Sequence, residues 1–132
     1  MAETLELEGD TPERRLVREQ VADVQLPGKD GYMGILPGHA PLAGQLGTGL
    51  LSYPAGSKRR YLAVDRGFIE IIENHVRVLA DLAETAEEID LNRARADLKT
   101  AEDRVASPGV DAAEALHDVA RAQARVAAAE QK

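Results

Sequence analysis

Hydrophobic residues occur in short runs through the first two thirds of the chain, and several of these runs alternate with polar residues. The runs lie at residues 5–7, 21–26, 61–64, 68–72 and 76–79. Turn-forming residues separate them, among them Pro27-Gly28 and the segment 65–67. Short strands at close spacing, with turn signals between them, are typical of all-β proteins. The pattern predicts an all-β sandwich or flattened barrel over residues 1–85.

The spacing of the apolar positions changes near residue 85, where small and apolar residues begin to recur every three or four positions. In the first stretch these positions are Leu91, Ala94, Leu98, Ala101 and Val105. In the second stretch they are Ala112, Ala115, Val119, Ala122, Val126 and Ala129, with Leu116 beside them. This is the spacing of one helical face. With Asp90 and Asp111 as N-caps and a stop at residues 107–109, it predicts an antiparallel α-helical hairpin over residues 86–132.

The predicted hairpin has few large apolar side chains to bury. Burial of each contributes at most about 1.5–3 kcal/mol, whereas ordering the backbone costs about 1–2 kcal/mol per residue. We therefore expect a weakly docked element, which is a suitable part for a switch. Periodicity alone leaves a solubilising helical tail as the alternative.

Composition and charge exclude several classes of protein. The 132 residues carry a formal net charge of -7, which disfavours a general nucleic-acid binder because such a protein needs a basic surface. The chain has no cysteine, so disulfides and thiol chemistry are excluded. No apolar stretch approaches the roughly 20 residues that span a bilayer. The acidic opening residues do not fit a signal peptide, so we expect a cytoplasmic protein or one held at a membrane through partners.

Three arginines of the hairpin form a candidate anion site. Arg121 and Arg125 are four residues apart and share a helical face. Counting from a turn near Pro108 predicts that Arg93 lies level with the gap between them. Guanidinium groups that converge in this way match phosphate oxygens. Asp90 and Glu84 could neutralise part of the charge or accept hydrogen bonds from a sugar or base. The competing interpretation is that these arginines are solvated or paired with neighbouring carboxylates.

A run rich in glycine and proline carries the most specific motif of the chain. Residues 31–42 read Gly-x-x-Gly-Ile-Leu-Pro-Gly-His-Ala-Pro-Leu, after Leu-Pro-Gly at residues 26–28. This run resembles the signature of the epsilon subunit of F-type ATP synthases, and the order of segments is similar along nearly the whole chain. One position departs from the family, which often has a glutamate where Tyr32 stands here.

The resemblance implies a non-catalytic subunit of the central stalk of a rotary ATP synthase. The β region would join the gamma subunit to the ring of c subunits, and the hairpin would regulate ATP hydrolysis. An extended hairpin would meet the catalytic beta and alpha subunits. The complex would place the chain peripherally on the cytoplasmic face of the plasma membrane. The ring-facing or gamma-facing contact would be made by Asp30, Gly31, Tyr32, Met33 and His39.

The resemblance also implies an ATP site in the hairpin. Residues 89–94 look like the Ile/Leu-Asp-x-x-Arg-Ala motif with which some bacterial epsilon subunits bind ATP. The residues carried over are Glu84, Ile89, Asp90, Arg93, Ala94, Arg121 and Arg125. Thr100 occupies the place of a further arginine of those subunits, which should weaken binding. ATP would be a regulatory ligand, and no cofactor would be required.

Catalysis is not expected. The chain has no Gly-x-x-x-x-Gly-Lys-Ser/Thr loop to hold phosphates and magnesium. Its three histidines are widely separated, without the spacing of metal ligands. Two alternatives remain open: a free-standing ATP-binding sensor, and a small hydrolase, which the missing catalytic groups disfavour.

Overall fold

The computed structural model describes residues 3–132, so Met1 and Ala2 of the predicted first region lie outside the described residues. Seven strands come first, followed by a short 3₁₀ helix at Ala86–Glu88 and two α-helices. The strands are β1 (Leu5–Asp10), β2 (Arg15–Val21), β3 (Val24–Gly28), β4 (Gly31–Ile35), β5 (Leu42–Ala55), β6 (Lys58–Ile72) and β7 (His75–Thr85). The helices are α1 (Leu91–Val105) and α2 (Ala112–Ala129). An all-β region followed by a helical hairpin is therefore confirmed.

All seven strands belong to one sheet in the order β2-β1-β7-β6-β5-β3-β4. The pairs are antiparallel except β1 with β7, which run parallel. Strand β2 nevertheless contacts β5, four places away in that order, so the sheet folds over itself into a sandwich. The enclosed core is made of Leu, Ile and Val from every strand, with Tyr53 as its one aromatic residue among those described.

Two details of the strand prediction are wrong. The predicted strand over residues 21–26 is split, because the backbone bends at Ala22-Asp23 between β2 and β3. The predicted turn at residues 65–67 lies inside β6 instead. Arg66 and Gly67 have positive φ angles there, 55° and 142°, but the pairing with β5 and β7 continues on both sides. A local change of backbone conformation thus replaces a chain reversal.

The helices begin where the sequence predicts. Asp90 accepts a hydrogen bond from the backbone N–H of Arg93 at 3.0 Å, and Asp111 accepts one from Glu114 at 3.1 Å. Each bond satisfies a donor that the first helical turn would otherwise leave unpaired. The connection between the helices spans residues 106–111 and includes Gly109 at φ 78°.

Helix α2 contacts β5 and β6, and α1 packs mainly on α2. The apolar part of this contact is built almost entirely from small side chains. Its buried members are Ala63, Ala86, Ile89, Ala94, Ala124, Ala128 and Ala129. Only Ile89 among them is large, and Leu50, Leu91 and Val126 pack against the cluster partly buried, so small side chains make up most of the fully buried apolar contact.

Candidate functional site

Asp65 joins the sandwich to helix α2. Asp65 lies on β6 and is only 4% exposed. Both of its carboxylate oxygens accept hydrogen bonds. His117 Nε2 lies 2.6 Å from Oδ1, and Arg121 Nε donates to Oδ2 at 2.9 Å. Thr48 of β5 also donates to Oδ1, at 2.8 Å. Burial alone would raise the pKa of Asp65, but the hydrogen bonds from His117 and Thr48 and the nearby positive charges outweigh it and hold that pKa below its usual value.

Arg125 makes a second link between helix and sheet. Its Nε donates to Glu84 of β7 at 2.9 Å, and its Nη1 donates to Asp97 of α1 at 3.2 Å. The hydrogen bond that Arg125 donates to Glu84, more than any other interaction, raises the pKa of Arg125 above its usual range. One guanidinium of α2 therefore contacts both the sandwich and helix α1.

The motif residues 89–94 are largely structural in this conformation. Asp90 caps α1, while Ile89 and Ala94 are buried in the alanine-lined contact. The carbonyl of Ile89 accepts a hydrogen bond from Lys132 Nζ. Arg93 is exposed and forms no ion pair among the residues described. Of the four, Arg93 is thus the one whose side chain is available to a ligand.

The helices are offset from the predicted register. Arg125 pairs with Asp97, and Arg104 pairs with Asp118 at 3.0 Å, which fixes which residues of the two helices are level. Arg93 therefore lies four residues, or about 6 Å along the axis, beyond the level of Arg125. The expectation that Arg93 is level with the gap between Arg121 and Arg125 is wrong. Counting from Pro108 assumes that the helices pack without an axial offset, whereas these ion pairs join residues at unequal distances from the 106–111 connection.

A shallow cavity of about 320 Å³ lies between the two helices. Three arginines line it with Asp97 and Asp118, and Thr100 also reaches it. The arginines are Arg104, Arg121 and Arg125. Arg104 was not among the predicted site residues, and its pair with Asp118 is hard to see in the sequence because they lie two and seven residues from the 106–111 connection. The cavity can hold an anion only if the arginines exchange carboxylate partners for it.

Four of the five predicted loop residues lie together. Asp30, Gly31, Tyr32 and Met33 line a cavity of about 600 Å³ at the end of the sandwich. His39 is not among the residues that line it, and its Nδ1 lies 2.6 Å from the carbonyl oxygen of Ala40. The first four residues therefore share one shaped surface, and His39 is not part of its lining.

Tyr32 also faces the hairpin. Its hydroxyl accepts a hydrogen bond from the backbone N–H of Leu50 at 3.0 Å. The ring lines a cavity of about 230 Å³ with Ala120, Ala124 and other residues of α2. A Cβ at Gly49 would lie 2.3 Å from the hydroxyl, so this approach requires a glycine there.

An exposed apolar patch lies on the sandwich, away from the hairpin. Phe68 of β6 and Leu79 of β7 are directly paired across the strands and are 63% and 48% exposed. Both line a cavity of about 530 Å³ that also includes Ala43 and Val78. The sequence pattern places Phe68 in a predicted strand and gives no sign that its side chain is exposed. Phe68 and Leu79 thus place two large exposed apolar side chains side by side on this face of the sheet.

Glu6, Glu8 and His75 bring possible metal ligands within 4.8 Å of one another. Glu6 and His75 are paired in register on β1 and β7. Three arginines lie within 4.0 Å of these carboxylates, namely Arg15, Arg18 and Arg77. Their positive charges neutralise the cluster and oppose a cation. No helix among residues 3–132 is long and apolar enough to cross a membrane.

Comparisons with known proteins agree with this architecture. The family model for the β-sandwich domain of the ATP synthase delta/epsilon chain matches residues 4–86. An ATP synthase epsilon chain from Solibacter usitatus is 56% identical over the full length of both chains. An ATP synthase epsilon chain from Koribacter versatilis is 45% identical, over 83% of this chain and 77% of the relative.

A solved structure extends the likeness beyond the sandwich. A chain in the OSCP, F1 and c-ring structure of the Euglena gracilis mitochondrial ATP synthase superposes with a TM-score of 0.82. The match covers 96% of this chain and 81% of that one, at 24% identity. At that identity the similarity is evidence of the fold, and it includes both the sheet and the helical hairpin.

Proposed function

The chain belongs to the ATP synthase epsilon chain family, and on that premise we propose that it is a non-catalytic central-stalk subunit whose hairpin regulates ATP hydrolysis. In this role it takes part in coupling proton flow to ATP synthesis and lies peripherally at the cytoplasmic face of the membrane. The full-length identity to epsilon chains supports the assignment to the complex. The regulatory part rests on how the hairpin is held.

The observation that carries the regulatory proposal is the narrow, ionic attachment of α2. Alanines make up most of the apolar contact, and the polar contact depends on Asp65 and Glu84. The arginine and the carboxylate of each pair are both hydrophilic, so water can hydrate each group when the helix leaves the sandwich. A hairpin held in this way can detach without exposing a large apolar surface.

The extended hairpin would carry Arg93, Arg121 and Arg125 toward the catalytic alpha and beta subunits. Detachment frees Arg121 and Arg125 from Asp65 and Glu84, and carboxylates of the catalytic subunits then take the place of these partners. The same arginines would thus serve in both states, which keeps the free-energy difference between the states small.

ATP is the proposed ligand of the docked hairpin. Arg93 is available, and Arg121 and Arg125 lie beside a cavity between the helices. A ligand that binds only the docked form stabilises it by about 2.7 kcal/mol at 100 times its dissociation constant. That is sufficient to shift a two-state equilibrium between docked and extended forms.

The partner contacts are assigned to two separate surfaces. The patch around Phe68 and Leu79 suits gamma, because a permanent partner would cover its apolar area. The surface formed by Asp30, Gly31, Tyr32 and Met33 suits the ring of c subunits, and His39 is proposed as a further contact from the motif alone.

Two measurements test the proposal. Tagged chain expressed with its synthase subunits should co-purify with gamma, whereas recovery of the chain alone would favour a free-standing sensor. Calorimetric titration with ATP should show binding that Arg93→Ala removes. Arg95→Ala is the matched control, because Arg95 is also exposed on α1 but pairs with Glu130 at 3.5 Å. Equal ATP binding by all three chains would refute the site and leave the family assignment intact.

A further inference from the structure

His117 is placed so that its charge affects how α2 is held. Its Nε2 lies 2.6 Å from Oδ1 of Asp65, and its side chain is only 18% exposed. Histidine is the side chain whose ordinary titration falls between pH 5 and 8. The other ligands of this carboxylate, Thr48 and Arg121, keep their charge state over that range.

We propose that Asp65 and His117 form a proton-dependent latch that holds α2 on the sandwich more tightly when His117 is protonated. A neutral imidazole still donates one N–H to the carboxylate. A protonated imidazole donates the same bond with a positive charge, and charge-assisted hydrogen bonds are roughly twice as strong as neutral ones. Because Asp65 is buried, solvent screens this contact weakly.

The charges around the pair decide the sign of the effect. Arg66 of β6 lies 3.7 Å from Oδ1 of Asp65, and Arg121 occupies the other oxygen. These cations repel a positive charge at the position of His117. Asp118 offsets them, since it lies 3.9 Å from Arg121 and also accepts from Arg104 of α1.

Further acidic groups act in the same direction. Glu114 lies three residues before His117 in α2. Arg125 lies about two turns after His117, and Glu84 of β7 neutralises its charge. Oppositely charged groups therefore balance the surroundings, and the direct contact with Asp65 decides the outcome. The docked hairpin should be favoured as the pH falls through the range in which imidazoles titrate.

This inference deepens the proposed regulatory role, on which its meaning for the synthase rests. If the extended hairpin blocks hydrolysis, a rise in pH would favour the blocked state and a fall would favour the docked one. The contact itself can be tested on the chain alone, without gamma or nucleotide.

The test is amide hydrogen exchange of the full chain at pH 5.5 and pH 8.0. Exchange of peptides from α2 is corrected for the intrinsic effect of pH and referred to peptides from β6 in the same sample. We expect protection of α2 to be higher at pH 5.5 than at pH 8.0, because the protonated contact is the stronger one.

Variants identify the groups responsible. His117→Gln should remove the pH dependence and keep the lower protection at both pH values. Arg121→Gln should reduce protection by a similar factor at both. His75→Gln is the matched control, because His75 also lies near a carboxylate, 3.4 Å from Glu8, but on the far part of the sheet; it should behave as the unaltered chain does.

Asp65→Asn should also abolish the pH dependence, and His117→Gln decides the question if that variant does not fold. Equal protection of α2 at the two pH values in the unaltered chain would overturn the latch. So would a pH dependence that survives in His117→Gln. A chain that shows the latch but does not co-purify with gamma would retain this inference and lose the proposed function.

Discussion

Arg125 of α2 donates from Nε to a carboxylate oxygen of Glu84 on β7 at 2.9 Å, although the two residues are 41 positions apart in the chain. This pair and the Asp65 cluster are the two ionic links between helix α2 and the sheet described above. The charged side chains of both links can be hydrated by water after the helix detaches. The docked hairpin is therefore held by contacts that can be exchanged for others, and specific substitutions should loosen it.

Glu84→Gln should loosen the hairpin modestly. Glu84 is 38% exposed in its side chain, so solvent screens the pair, and we expect a loss of about 0.5–1 kcal/mol. Denaturant unfolding of the full chain measures it. Glu130→Gln is the control, because its pair with Arg95 lies within the hairpin and is half-exposed on both sides. An equal loss in both variants would contradict a special role for Glu84 in docking.

Loss of the Asp65 charge should change the acid dependence of stability. Because its pKa is lowered in the folded chain, Asp65 contributes stability above about pH 4 that is lost as the pH falls through its folded pKa. Asp65→Asn should cost about 2 kcal/mol near pH 7, because hydrogen bonds to a charged group are lost. That difference from the unaltered chain should shrink below about pH 4. Unfolding free energies measured from pH 3 to 7 test this, and a constant difference would contradict it.

Gly67→Ala should destabilise the sandwich strongly. Gly67 has a φ of 142°, and a Cβ there would lie 2.0 Å from the backbone oxygen of Leu79. Neighbouring strand backbone cannot move aside cheaply, so the loss should exceed about 3 kcal/mol. Gly44→Ala on β5 is the control, since nothing lies within 4 Å of a Cβ there. Thermal unfolding distinguishes the two, and similar midpoints would refute the argument.

Phe68→Ser should leave the isolated chain nearly as stable as before, because the ring is 63% exposed. It should weaken co-purification with gamma if the patch is the gamma contact, since a central aromatic residue contributes about 2 kcal/mol or more to an interface. Leu116→Ser, at a residue 57% exposed on the hairpin, should not. Undiminished recovery of gamma with Phe68→Ser would move the contact elsewhere on the sandwich.

The local elements of this fold are largely predictable from the sequence. Asp90 and Asp111 mark both helix starts because an N-cap is a local interaction. Local signals fail where tertiary pairing overrides them. Gly67 reads as a turn residue, but β5 and β7 pair on both sides of it and the strand continues through.

The ionic contacts of the hairpin were less predictable. The sequence groups Glu84 with Arg121 and Arg125, but Asp65, which lies 56 residues from its partner Arg121, was not predicted. Periodicity cannot reveal which strand a helix packs against. The register error for Arg93 has the same origin, because contacts across the hairpin, and not the position of Pro108, set the axial offset between the two helices.

The central claim is that the hairpin leaves the sandwich to block hydrolysis, and a reversible cross-link tests it most directly. The chain has no cysteine, so Ala63→Cys and Ala124→Cys would supply the only pair, at two buried residues of one apolar cluster. Mass spectrometry confirms the cross-link, and each single variant is the control. ATP hydrolysis by the assembled synthase should rise when the pair is oxidised and fall again on reduction; equal rates in the two states would contradict the account.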